Sequence, residues 1–192
     1  MRGSTAREAG GGRLFGGQPR KALRDTLETV IVAVVLALVI RTFVVEPFIV
    51  DGYSMQNTLQ NHERLLVNKL WFHFSPLQYG QIVIFQPPIP GQPPYVKRVI
   101  ATGGQTVSMV NGQVFVNGKK MPQPYLVHHG VSTQDHWNMP PLKVPKGDIF
   151  VLGDHRAASE DSRFFGPVSV SAVQGVAFWI IWPLNDFGPI PQ

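Results

Sequence analysis

Val107-Ser108-Met109-Val110-Asn111-Gly112-Gln113-Val114-Phe115-Val116-Asn117-Gly118-Lys119 carries two Asn-Gly pairs flanking a short alternating strand. Asn-Gly supplies the two successive positive φ angles of a type I′ turn, whose twist suits antiparallel neighbours, so the stretch predicts a three-strand meander. Working outward, the same texture continues on both sides. Tyr95–Ile100, Ile82–Phe85 and Leu65–Val67 read as strands on the N-terminal side, and Asp148–Leu152 and Gly175–Trp182 on the C-terminal side. No long 3.6-residue period occurs after Pro47. Residues 121–147 are proline-rich and read as loop. Gly175–Trp182 is too short to cross a membrane and ends at Pro183, so it reads as a buried strand with Trp179 and Trp182 in the core. The 17 prolines and 19 glycines among 192 residues fit a turn-rich body. The fold class read from these features is mainly β, an antiparallel sheet behind a single N-terminal helix.

That helix comes from Thr29–Ile40, an uncharged apolar run resumed after Arg41 as far as Val45. About 17 residues is the lower limit for a transmembrane helix, with Arg41 snorkelling toward the interface. Ahead of it lie Arg2, Arg7, Arg13, Arg20, Lys21 and Arg24 in a Gly-rich stretch read as a flexible tail. No small-x-small cleavage site follows the apolar run, which favours an uncleaved anchor over a removed leader. The expected division is a cytoplasmic basic tail over 1–28, a transmembrane anchor over 29–45, and an extracytoplasmic β-rich domain over 46–192 with a small insert at 104–147. The orientation follows from the positive-inside rule, and the expected location is a cell membrane crossed once.

A net charge of +5 admits a nucleic-acid binder in principle. The cations cluster beside an apolar run and no nucleic-acid motif is present, so lipid is the expected partner. The absence of cysteine excludes disulfides, thiolate nucleophiles and Cys-ligated zinc. His128, His129 and His136 lie in a proline-rich loop without a His-Glu-x-x-His pattern, so neither a metal nor a cofactor is expected.

Four segments carry polar residues suited to chemistry. In Pro47–Leu59 a strand ends in a glycine turn, Gly52-Tyr53-Ser54-Met55, that presents a serine; alone, this is also how an ordinary strand–turn reads. Arg64–Lys69 is a strand with charged ends. Tyr95–Ala101 sets Lys97 and Arg98 on opposite faces of an apolar strand. A buried lysine loses solvation, so its pKa falls toward that of a competent base, whereas a surface strand would leave both cations solvated. Gly147–Gly166 runs from a strand into a loop dense in Asp, Arg and Ser, the composition of a paired-charge network.

In this order and behind an apolar helix, these segments resemble the bacterial type I signal peptidases, or leader peptidases, from about residue 25 to residue 183. Ser54-Met55, Lys97-Arg98 and Gly153-Asp154-His155-Arg156…Ser159-Glu160-Asp161-Ser162-Arg163 carry the resemblance together. It implies a signal-peptidase-like β core and a membrane-bound serine endopeptidase. Such an enzyme removes signal peptides from secretory preproteins after small residues at −1 and −3. Ser54 would be the nucleophile, Lys97 the general base, and Ser159 the hydroxyl that orients the lysine amine. The Ser54 backbone N–H would hold the oxyanion, with another N–H of the turn standing in where Gly52 lacks a hydroxyl. Met55 would pack beside the nucleophile, and Asp154, Arg98, Asp161 and Arg163 would form ion pairs beneath the site. The family usually has Pro at the position of Asn57, Asn at that of His155, and acidic residues at those of Gln81 and Gln105. Two other readings remain: a catalytically silent, membrane-anchored β domain that binds a protein partner, and a self-cleaving repressor-type serine–lysine protease, for which residues 1–45 lack a DNA-binding module.

Overall fold

The structure is a computed structural model that describes residues 19–128, 131–132 and 136–191; for 19–22, 39–43, 71, 128, 131 and 132 the description is of the backbone alone. In chain order the elements are α1 (Pro19–Phe43), β1 (Val45–Ile49), β2 (Arg64–Asn68), α2 (Trp71–Phe74), β3 (Ile82–Phe85), β4 (Tyr95–Thr102), β5 (Thr106–Val110), β6 (Gln113–Val116), β7 (Lys119–Lys120), β8 (Val127–His128), β9 (Val131–Ser132), β10 (Met139–Lys143), β11 (Asp148–Leu152), α3 (Ser162–Phe165), β12 (Val168–Ser169), β13 (Val173–Trp182) and β14 (Gly188–Pro189). The described residues divide into two compact units, with the boundary between Ile40 and Arg41.

Helix α1 departs from expectation. It starts at Pro19, within the stretch read as tail, and ends at Phe43, while Val45 already belongs to β1. Pro19 suits the first helical position, and Lys21, Ala22, Leu23 and Arg24 are good helix formers. Arg24 Nε and Glu28 Oε1 add a 2.7 Å i,i+4 ion pair on the exposed surface. The tail read over 1–18 lies outside the described residues. Among the described residues no helix is long and apolar enough to cross a membrane, so the expected transmembrane span is not found. The uncharged part whose side chains are described, 29–38, spans only about 15 Å at 1.5 Å per residue, against a hydrocarbon core of about 30 Å. The rest of the expected span includes 39–43, where the side chains, Arg41 among them, lie outside the described residues.

The body is mainly antiparallel β. Its larger sheet has the order β1-β2-β13-β3-β4-β11-β12, with β14 added to β13. Strand β13 is long enough to serve three neighbours: Val173–Ala177 pairs with β3, Val176–Trp182 with β2, and Trp179–Ile180 with β14. Pro47 is accommodated because β1 is an edge strand. The meander forms as predicted, β5-β6-β7, through turns in which Asn111 (φ 49°), Gly112 (75°), Asn117 (51°) and Gly118 (77°) are all left-handed.

Two expectations fail. Part of the 121–147 loop is β10, which pairs with β5 and completes a second, four-stranded sheet. Pro140 and Pro141 hid it from the sequence. They are tolerated because β10 lies at the edge and its register shifts between Met139 and Leu142. Trp182 is 52% exposed, and Trp179 half-buried against Phe187, so neither is fully buried in the core.

Apolar side chains from both faces of the larger sheet form separate clusters. Met55, Leu59, Leu65 and Ile84 belong to one, and Val83, Phe85, Val99 and Val151 to another. A third joins Ile100, Phe150 and Leu152 to Val107, Met109 and Val114 of the smaller sheet. Strand β4 is thus covered on both faces, which is why six consecutive residues of it, Val96–Ala101, are buried.

Candidate active site

The serine turn is assembled from the ends of β1 and β2. Val50 N–H donates to Glu63 O (2.9 Å) and His62 N–H to Val50 O (2.8 Å), closing the connection at its base. Gly52, at φ +107°, makes the reversal that a side chain would strain. Met55 (1% exposed) and Leu59 (0%) plug the turn into the core. Ser54 sits just before this plug, half-buried at the wall of a cleft of about 400 Å³.

Strand β4 brings the second group. Lys97, 4% exposed, extends its amine to Ser54, with Nζ 2.7 Å from Oγ and donating also to the Val96 carbonyl (3.1 Å). Burial lowers the Lys97 pKa to about 8, against the opposing pull of Asp161, Glu160 and Asp154. No carboxylate among the described residues forms an ion pair with the amine. In the neutral state its lone pair can therefore accept the Ser54 hydroxyl proton.

The sequence required only one of Lys97 and Arg98 to face inward; both are buried. Arg98, 0% exposed, donates to Asp154 through Nε (2.9 Å to Oδ1) and Nη2 (2.7 Å to Oδ2), and through Nη1 to Gly80 O (2.7 Å). Thr58, on the serine turn, donates to the same Asp154 carboxylate at 2.5 Å. The second ion pair is local: Asp161 Oδ1 accepts from Arg163 Nε (2.8 Å), and Oδ2 accepts from the Gly153 N–H (3.0 Å). One carboxylate thus ties β4 and the serine turn to the loop, and the other holds the loop against itself.

The hydrogen bond expected from Ser159 to the lysine amine is not formed. Among the described residues the buried Ser159 hydroxyl has no hydrogen-bond partner, and it lies close against Gly153. A Cβ built on Gly153 would stand 2.1 Å from Ser159 Oγ and 2.5 Å from the Ser54 carbonyl. The Gly52 N–H is also unavailable to an oxyanion, since it donates to Asn61 Oδ1 (2.8 Å). The Ser54 N–H makes no hydrogen bond among the described residues.

Gly153 was read as part of the motif that carries the resemblance but not as a site residue, because its role is one of space, which residue type alone does not report. Gly153→Ala is expected to push the loop off the serine turn, which His155 N–H otherwise grips through Ser54 O (3.0 Å). A shift of about 1 Å at a reacting group costs about 10²-fold in rate, and overpacking costs roughly 1–3 kcal/mol. Turnover together with a thermal melt measures both, and a wild-type kcat/KM would show the contact to be soft.

The departures from the family pattern have local explanations. Asn57 stands at φ 82°, which proline cannot adopt, so this turn takes its own path. At 155 the contact to Ser54 is made by the backbone and is independent of the side chain. Gln81 and Gln105 each use the amide oxygen to accept a backbone N–H, from Gln78 (3.0 Å) and Thr102 (2.8 Å), a task a carboxylate performs equally well. Among the described residues no cluster of His, Asp or Glu could hold a metal; His129 and the His128 side chain lie outside them.

Residues 23–182 match the family described as signal peptidase, peptidase S26. A signal peptidase I of Bacillus amyloliquefaciens is 38% identical over 174 residues, covering 87% of this chain and 92% of its own length. A probable signal peptidase I-1 of Synechocystis is 35% identical over 179 residues, with 90% and 89% covered. A solved signal peptidase I from Enterococcus faecalis is 32% identical, covers 53% of this chain and 97% of its own, and superposes with a TM-score of 0.45.

Proposed function

The chain belongs to the S26 family of signal peptidases, hydrolases that remove signal peptides from preproteins, and from that premise we propose that it cleaves by a Ser54/Lys97 dyad through an acyl-enzyme. The observation that carries this reading is the 2.7 Å contact between Ser54 Oγ and a buried amine that no carboxylate among the described residues meets at ion-pair distance. Neutral Lys97 takes the hydroxyl proton as Ser54 Oγ bonds to the scissile carbonyl carbon. The C–N bond then breaks, and the Lys97 ammonium returns the proton to the leaving amine. Water attacks the resulting ester, its proton passing to Lys97 and then to the departing Ser54 oxygen. The Ser54 N–H faces the oxyanion. The Ser159 hydroxyl, without a hydrogen-bond partner among the described residues, is the group that turns to the ammonium once Ser54 is acylated.

The cleft wall beside Ser54 is made by Phe48, Ile49 and Val96, which suits short apolar side chains at −1 and −3. We assign the chain to the cell membrane, with α1 contacting lipid. The support is physical: Leu23, Leu27, Val30, Ile31, Val32, Val34, Val35, Leu36 and Leu38 are all more than half exposed, an apolar surface that water does not tolerate.

The test is cleavage of a preprotein bearing an Ala-x-Ala site by the detergent-solubilised full chain, with the new N-terminus read by mass spectrometry. Cleavage directly after the second Ala is expected, and its loss when that Ala is replaced by a bulky residue. Binding of the preprotein without any cleavage would sink the reading and return the chain to a silent binding domain.

A further inference from the structure

Tyr95 and Glu160 belong to no part of the dyad, yet both line its cleft. Tyr95 precedes Lys97 by two on β4 and therefore shares its face. Its ring centroid is 4.8 Å from the lysine Nζ, within cation–π range. Its hydroxyl donates to Glu160 Oε2 at 2.7 Å, and Glu160 stands between Ser159 and Asp161 on the loop that closes the site. The carboxylates around the amine are not equivalent. Asp154 is bound by Arg98 and Asp161 by Arg163, whereas Glu160 has no cationic partner among the described residues.

We propose that the Tyr95–Glu160 pair is a positioning device for the lysine: the hydrogen bond holds the aromatic face against the amine and keeps an uncompensated carboxylate beside it. This rests on Lys97 acting as the base. The groups facing the amine are Tyr95 on its own strand, Ser54 on the turn, and Asp154, Glu160 and Asp161 on the loop; Asp51 lines the same cleft, and Arg98 points away into its ion pair. Of the three carboxylates that act on the amine, Glu160 is the one at the surface, since Asp154 and Asp161 are fully buried; Asp51, also exposed, lines the cleft without acting on the amine. A negative charge favours the ammonium, so Glu160 opposes the desolvation that frees the base. The pair thus sets how far up the pH scale the enzyme must go before the amine is neutral. Burial and the bond to Glu160 push the Tyr95 phenol up to about 12, so it remains a donor throughout the working range.

The expectation runs against that for a merely structural contact. Glu160→Gln keeps an acceptor for Tyr95 but removes the charge. Its acid limb of kcat/KM against pH should move down by about 0.3–0.5 pH unit, the size appropriate to a solvent-screened charge. A pH unit below the limb, the variant should be roughly two- to threefold faster than wild type. Tyr95→Phe, which releases the carboxylate into solvent, should move the limb the same way. Raising salt to about 1 M, where screening is within about 3 Å, should bring wild type toward Glu160→Gln. All three are read with the full chain in detergent on a peptide carrying a small-x-small site. A limb that stays put or rises in Glu160→Gln, or a rate lowered by one factor at every pH, overturns the proposal. Ser54→Ala and Lys97→Met separate it from the reading beneath it: cleavage by either sinks the dyad, while an unmoved limb with both inactive sinks this inference alone.

Discussion

Lys97→Met abolishes turnover and at the same time makes the protein more stable. Methionine keeps the length and apolar stem of the lysine, so the packing of β4 survives. What is lost is the amine 2.7 Å from Ser54 Oγ. Without it no group takes the hydroxyl proton, and the rate is expected to fall by at least about 10³-fold. The stability gain follows from linkage. The amine titrates at about 8 in the folded chain, lowered from 10.5 by burial. The unfolded chain therefore binds the proton more readily between those values, and stability rises with pH across that window. The penalty on folding is fully present below about pH 8 and gone above about 10.5, and at pH 7 it amounts to roughly 3 kcal/mol. Lys97→Met removes it, so the variant should melt higher at pH 7, with the advantage shrinking as pH rises toward 10.5. The same ionisation sets the acid limb of the wild-type enzyme: kcat/KM climbs as pH rises through about 8. Chemical denaturation at pH 7 and pH 10.5, run beside a cleavage assay, checks both halves. Full cleavage by the variant, or an equal stability difference at the two pH values, would remove the buried base from the account.

Asp154→Ala is expected to be the most damaging single change to the fold. Arg98 and Asp154 are both wholly excluded from solvent, and the carboxylate also accepts from Thr58. Removing it leaves a guanidinium buried without a counter-charge, at a cost of about 3–5 kcal/mol. It also releases the serine turn from β4, so activity should fall further than the loss of folded protein explains. Urea denaturation of Asp154→Ala beside Arg98→Met and the double variant gives the coupling. The double variant should recover much of the single loss, because no unpaired charge remains. Losses that simply add would show the pair to be independent.

The strands were legible because turn chemistry and alternation are local. Asn111-Gly112 and Asn117-Gly118 announce left-handed backbone whatever lies elsewhere in the chain, and they form the meander they predict. Strand β10 was hidden by the same logic, since Pro140 and Pro141 suit only an edge strand with a register shift, and edge position is a property of the assembled sheet. The start of α1 was missed because Gly- and Arg-rich composition outweighed the helix-forming run Lys21–Leu27.

The identities of the site residues were carried by motifs, and no local pattern gave their relations. That Ser159 lies against Gly153 instead of reaching the lysine depends on how closely two backbones approach. Tyr95 could have been found from its period-two spacing to Lys97; its partner Glu160, 65 residues further on, could not. What the sequence determined by itself was the antiparallel β character of the body and the set of residues able to do the chemistry, because turns, alternation and side-chain type act over a few residues. Only the tertiary structure decided that Lys97 is stripped of water beside Ser54 while Arg98, its neighbour, is neutralised beneath. Desolvation and charge pairing depend on what the rest of the chain stacks against each face of one strand.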